Sequence, residues 1–206
     1  MKQLTKAIFD LAQPIYGRLN KRTFVNFEVG DLVDESRQQG MHGYDIDFDV
    51  ILSNGKPLQR EYVWTLEQKQ SLILSMLKGI KLPQFHFAIF KESDKAKNPY
   101  DRRLFKVIDG KQRLSAIKEF VENKYAIFIG NETYYFSDFD SEMEYKIRTY
   151  TIDCSVYYEH KYVNEPKHNT YLTDRELVEW FILVNWAGVQ QEAEHMFNLR
   201  ESLKTK

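Results

Sequence analysis

The sequence predicts a mixed α/β or α+β domain, and three observations carry that prediction. Asp45-Ile46-Asp47-Phe48-Asp49-Val50 alternates strictly, the period of a half-buried strand. Two apolar helical stripes follow Ser/Thr-x-x-Glu/Gln spacings, at Thr65–Gln68 and Thr173–Glu176, which read as capping boxes. Two short β-type runs flank Gly130-Asn131, as in a hairpin. Strand and helix patterns interleave along the chain with this hairpin inside, which is the mixed class.

Taken in order, residues 1–22 are mixed, and Pro14 and Gly17 break a short initial helix, so this stretch reads as an arm. Phe24 to Val29 is a strand candidate. Gly40 and Gly43, with the polar run from Asp34 to His42, mark a loop. The alternating strand 45–50 is followed by a turn at Asn54-Gly55 and Pro57. The helix after Thr65 carries Ile73, Met76, Leu77 and Ile80 as its stripe, widened by Leu72 and Leu74, and Gly79 is its C-terminal stop. Phe85 to Phe90 is a strand, Lys91 to Asp101 a polar loop with Asn98-Pro99, and Leu104 to Ile108 a second strand. Leu114, Ile117 and Phe120 or Val121 give the next helix its apolar face. The hairpin spans Tyr125 to Phe136, a weakly amphipathic helix Asp138 to Arg148, a strand Tyr150 to Tyr158, and a polar loop Glu159 to Thr170. Leu177, Trp180, Phe181 and Val184 form the stripe after the second capping box, and Gln190 to Leu203 is a last helix beyond Gly188.

The 206 residues suit one domain, with or without appendages, and 43 % hydrophobic and 15 % aromatic residues supply a core and exclude disorder. Twenty-nine cationic residues against 30 acidic ones argue against a strongly basic nucleic-acid binder, though not against a local basic patch. The single Cys154, between Ile152 and Val156, reads as a buried free thiol in a strand. No apolar run approaches the ~20 residues of a membrane span, and Met1-Lys2-Gln3-Leu4 opens into charged residues without a signal core. The expectation is a soluble, cytoplasmic protein with no membrane partner.

The most informative segment is Val107-Ile108-Asp109-Gly110-Lys111-Gln112-Arg113-Leu114. An apolar strand runs into Asp-Gly, and Lys, Gln and Arg then open a helix. Free N–H groups of a helix start favour a phosphate. Glycine at 110 lets backbone approach a ligand closely. Asp109 can hold a divalent cation or orient a water, Lys111 and Arg113 can neutralise phosphate charge, and Gln112 can position a water or a phosphate oxygen. Asp-Gly is equally an ordinary turn and cap, and spacing leaves both readings open. Upstream, Gln59-Arg60-Glu61-Tyr62-Val63-Trp64 places Arg60 outside any apolar pattern beside a helix N-terminus, as a second phosphate ligand or a surface cation. Asp45, Asp47 and Asp49 share one strand face; they lack the loop of a calcium motif and read as a solvated face. Histidines 42, 86, 160, 168 and 195 show no metal-ligand spacing, and no Walker-type loop or Gly-x-Ser-x-Gly elbow is present. Tyr134, Tyr135, Tyr157 and Tyr158 can stack on bases but suit sheet packing better.

Two stretches in fixed order carry a resemblance. Leu58 to Phe90 reads Leu-Gln-Arg-Glu-Tyr-Val-Trp, a helix ending Met-Leu-Lys-Gly, then Lys-Leu-Pro and a strand; Val107 to Phe120 reads Val-Ile-Asp-Gly-Lys-Gln-Arg-Leu-Ser-Ala-Ile-Lys-Glu-Phe. This resembles the N-terminal domain of GmrSD-type restriction enzymes, modification-dependent (type IV) systems of the ParB/sulfiredoxin-like fold group. The likeness covers residues 58–122 and extends to Val184-Asn185-Trp186-Ala187-Gly188, with Glu192 or Glu194 after it. It divides the chain into an appendage at 1–44 and a domain at 45–206. In that family the domain binds and hydrolyses nucleoside triphosphate through Asp-Gly-Gln-Gln-Arg and controls a DNA-cutting domain. The resemblance therefore implies Asp109, Gln112 and Arg113 as catalytic residues, Asp109 also as the Mg²⁺ ligand, and Arg60, Gly110, Lys111 and Asn185 as nucleotide-binding residues. Lys111 departs from the family's usual Gln, keeping a donor and adding a charge. The family's nuclease region carries a His-based metal site; here the chain stops at Lys206 and His195 stands alone. The expectation is a regulatory, NTP-hydrolysing module whose DNA cleavage comes from a separate nuclease subunit. The alternative is a non-catalytic adaptor that binds DNA or protein.

Overall fold

A computed structural model describes residues 21–33, 44–93, 103–162, 167 and 169–186. The arm at 1–20, the loop glycines 40 and 43, Asn98-Pro99, Gly188, Glu192, Glu194, His195 and the helix expected over 190–203 lie outside them.

The described chain runs β1 (Thr23–Glu28), α1 (Val29–Val33), β2 (Tyr44–Asp47), α2 (Leu66–Leu77), β3 (Phe85–Ser93), β4 (Arg103–Asp109) and α3 (Lys111–Val121). It continues through the hairpin β5 (Ile127–Ile129) and β6 (Glu132–Tyr134), a 3₁₀ turn at Phe136–Asp138, α4 (Ser141–Arg148), β7 (Thr151–Tyr162) and α5 (Asp174–Trp186). Five strands form one mixed sheet in the order β1-β7-β3-β4-β2, and β5 and β6 form a second, small sheet. Pairs β1–β7 and β3–β4 are antiparallel, whereas β7–β3 and β4–β2 are parallel. The α+β expectation holds.

Alternation along the strands sends neighbouring residues to opposite faces. Phe85, Phe87, Phe105, Val107, Cys154 and Val156 face one core, closed by Ile73 and Met76 of α2 and Leu114, Ile117 and Phe120 of α3. Ala88, Ile108 and Tyr157 face a second core, closed by Val178, Trp180 and Phe181 of α5 and by Leu52 and Leu58. Helices thus cover both faces, which is why β3 and β4 are apolar at consecutive positions.

Both capping boxes form: Thr65 Oγ1 accepts the Gln68 N–H at 3.3 Å, and Glu176 accepts the Thr173 N–H at 2.8 Å. Gly79, at φ +72°, ends α2, and this leaves Ile80 exposed rather than in the stripe. Several boundaries differ from the sequence reading. Val29, expected to end the first strand, opens α1, and β3 runs on through Lys91 to Ser93, where the loop was expected to begin, because it pairs with β7 there. The strand expected over 45–50 stops at Asp47, whose Oδ1 accepts the Asp49 N–H at 3.1 Å and turns the chain, so the three aspartates do not share a strand face. The helix expected from Asp138 begins at Ser141, because the Asp140 side chain caps it by accepting the Met143 N–H. The polar residues after Tyr158 remain in β7 to Tyr162, since β3 pairs with them through Ser93↔Tyr162. Glu159 is fully buried there, accepting from Lys106 Nζ at 2.7 Å and from the Leu172 N–H at 2.9 Å.

Candidate functional site

The Asp109–Gly110 turn joins the end of β4 to α3. Gly110 has φ +105°, and a Cβ there would overlap Cδ1 of Phe85 and stand 2.9 Å from its Cε1. Both the backbone conformation and the Phe85 ring require glycine. Gly110 is also the N-cap of α3 and supplies no side-chain acceptor, so the first-turn N–H groups have no side-chain cap.

The three polar side chains that follow tie neighbouring chain segments together. Lys111, 6 % exposed, donates from Nζ to Asp49 Oδ1 and, at 3.2 Å, to the Arg60 carbonyl. Gln112 Oε1 accepts the Val63 and Trp64 N–H groups at 2.9 and 3.2 Å, and its Nε2 donates to the Glu61 carbonyl at 2.9 Å. Arg113 donates to the carbonyls of Pro83 and Gln84 and to Asp109 Oδ2, the last at 2.9 Å, while its guanidinium lies 4.2 Å from the Phe85 ring centre. The helix start therefore grips the 59–64 segment on one side and the entry to β3 on the other. Gln59 adds a bond from Nε2 to the Val107 carbonyl, and Tyr62 Oη and Lys69 Nζ both donate to Glu119 Oε2.

Asp109 is mostly buried, and burial pushes its carboxyl above the usual range against the opposing pull of Arg113 and the Gly110 N–H. Burial likewise lowers Arg113, against the pull of Asp109. Among the described residues no group of three or more His, Cys, Asp or Glu side chains is placed to hold a metal ion. Asp109 thus stands outside any such cluster, and its Oδ2 is engaged by Arg113. The Arg60 carbonyl is held by Lys111 Nζ, and Arg60 Nε is buried without a hydrogen-bond partner. Asn185 is buried on α5, where Nδ2 donates to the Phe181 carbonyl at 2.8 Å. The structure thus brings Asp109, Gly110, Lys111, Gln112, Arg113 and the Arg60 backbone together, with Asn185 on the helix that covers the other face of β4.

Sequence reasoning passed over a second polar group. His86 of β3 is the cross-strand partner of Asp109 on one side and of Ser155 on the other. Its ring meets that of Trp180 edge to face at 6.0 Å. Single polar residues inside apolar strands were the available signal, and such residues are more often satisfied core groups. Cys154 matches its expectation: it is buried, and burial pushes its thiol up to about 12. Tyr157 is buried as well, its Oη donating to the Thr170 carbonyl at 3.0 Å. No helix among the described residues is long and apolar enough to cross a membrane.

Comparison with known proteins decides the family. The profile of the GmrSD restriction endonuclease N-terminal domain matches residues 44–199, most of the chain. The chain belongs to this family. The match begins at β2 and so includes every residue placed at the Asp109–Gly110 turn, and it reaches past Asn185. Neither a curated protein nor a solved structure matches. Membership makes the chain a restriction-system module.

Proposed function

We propose that this GmrSD N-terminal domain binds a nucleoside triphosphate at the Asp109–Gly110 turn and hydrolyses it, as the regulatory module of a restriction system. The observation that carries the reading is Arg60. Its guanidinium Nε is buried and unpartnered, although the surrounding Lys111, Gln112 and Arg113 are all engaged. A buried N–H donor without a partner is costly unless a ligand completes it. The uncapped start of α3, next to the Arg60 carbonyl, offers N–H donors of the same polarity.

In this reading the residues divide their work. Arg60 and the α3 N–H groups bind phosphate oxygens, and Gly110, backed by the Phe85 ring, forms the turn that presents those N–H groups. Asp109 would hold the Mg²⁺ that accompanies the nucleotide, and the ion would supply neutralisation of phosphate charge. Lys111, Gln112 and Arg113 act as positioning residues, holding Arg60 and Asp109 in place through the bonds described above.

The test is phosphate release from ATP, GTP, CTP and UTP with Mg²⁺ by wild type, Arg60→Ala and Asp109→Asn. Wild-type turnover that both variants lose while keeping the native fold supports the reading. Equal turnover in wild type and Arg60→Ala refutes it. Nucleotide binding without release makes the domain a nucleotide-binding adaptor.

A further inference from the structure

On the α5 face of the sheet, three neighbouring elements each carry a buried polar side chain without a partner. The side chains are His86 of β3 (9 % exposed), Ser155 of β7 (0 %) and Trp180 of α5 (1 %), with His86 Nδ1, Ser155 Oγ and Trp180 Nε1 all unpaired. His86 and Ser155 are register partners on adjacent parallel strands, so their side chains stand side by side on one face. Trp180 closes over His86 with ring centres 6.0 Å apart. A core that needed only packing would place apolar residues here, since each orphaned polar group carries a desolvation cost of about 1–3 kcal/mol.

The chemistry of the three groups selects the ligand. The indole N–H is a donor only, the hydroxyl donates readily, and a neutral imidazole can present Nδ1–H. A cation stands close by: Arg22 lies 5.7 Å from the Trp180 ring centre and, like the Asp109-paired Arg113, acts electrostatically on His86. A site with several donors in a positive field takes an acceptor-rich anion. The row also has an open end. Phe24 of β1 pairs with Ser155 and is 70 % exposed, so α5 does not cover that edge.

We infer that His86, Ser155 and Trp180 form a binding subsite for a phosphoryl group. His86 is the cross-strand partner of Asp109, which puts this subsite one strand from the Asp109–Gly110 turn. Resting on the nucleotide reading above, the group it receives is a phosphate of the nucleotide; free inorganic phosphate has the same chemistry and is the other source.

The test titrates the full chain with inorganic phosphate, followed by calorimetry and by ³¹P NMR, for wild type, Ser155→Ala and Trp180→Phe. Inorganic phosphate is expected to bind wild type, and each variant to weaken binding about 10- to 100-fold through loss of one hydrogen bond to an anion. The urea midpoint of Ser155→Ala should equal or exceed that of wild type, because the substitution removes an orphaned hydroxyl. Competition by ATP with Mg²⁺ identifies the nucleotide as the source. Phosphate binding that ATP does not displace supports the subsite and overturns only the nucleotide as the source of its phosphate. Wild-type affinity for phosphate in both variants, or no binding of either phosphate or ATP by wild type, overturns the subsite.

Discussion

Gly110→Ala is the substitution whose consequence follows most directly from the geometry. At φ +105° an alanine pays a backbone cost of about 1–2 kcal/mol for leaving the conformations open to L residues. Its methyl group also overlaps Phe85, a fully buried ring that carries the Arg113 guanidinium on its face. Overpacking of this kind costs about 1–3 kcal/mol. Together the destabilisation is about 2–5 kcal/mol, a large part of the stability of an ordinary domain. Urea unfolding at pH 7 measures it, and Phe85→Val separates the two parts by removing the ring atoms that the methyl group meets. Gly110→Ala should cost its full amount in wild type and only the backbone part, about 1–2 kcal/mol, in the Phe85→Val background. An identical cost in both backgrounds would refute the steric argument. A total below about 1 kcal/mol would refute the conformational one as well.

Four further outcomes are expected. Asp109→Ala should destabilise by about 3–5 kcal/mol, because it strands the buried Arg113 without its carboxylate; Asp109→Asn keeps an acceptor and should cost clearly less, by urea unfolding of both variants. Gln112→Ala should free the 61–64 segment, so that hydrogen exchange at the Val63 and Trp64 amides quickens about tenfold or more relative to wild type. His86 is held neutral by burial, then by Arg22 and Arg113, with its pKa lowered from 6.5 to about 4. The unfolded chain therefore takes up a proton below about pH 6.5 that the folded chain refuses until about pH 4, so stability falls as pH drops through that window. The loss is about 2 kcal/mol between pH 7 and pH 5, and His86→Gln should remove that part of the pH dependence of the urea midpoint. Cys154 should resist a disulfide reagent in the native protein and react at the rate of a free thiol once unfolded, since burial keeps its thiol protonated.

Much of the local architecture was legible in the chain because its causes are local. A Thr with Gln three residues on caps α2 through contacts within one turn, and a glycine ends it at Gly79. The alternation in β3 and β4 and the stripes of α2, α3 and α5 follow from backbone periods of 2 and 3.6 residues, so element types could be read in order. The Asp109–Gly110 turn was visible for the same reason: a strand pattern, a glycine and a helix pattern meet there. What the sequence left open was the work of the side chains that follow. Whether Gln112 meets a ligand or the backbone of Val63 and Trp64 depends on a segment 48–51 residues away, and no local pattern encodes that distance.

The sequence by itself thus determined the α+β class, the helix caps and the place of the glycine turn, because each depends on neighbours in the chain. The restriction-family motifs lay in it as well. Only the tertiary structure decided which polar groups the fold satisfies and which it leaves unpaired. Parallel pairing of β3 with β7 sets His86 beside Ser155, and α5 lays Trp180 over them. Clamping of the 59–64 segment by Lys111 and Gln112 leaves Arg60 Nε buried and free. Burial and partnership are properties of groups distant in sequence that meet in space, and a hydrogen-bond account closes only when every element is in place.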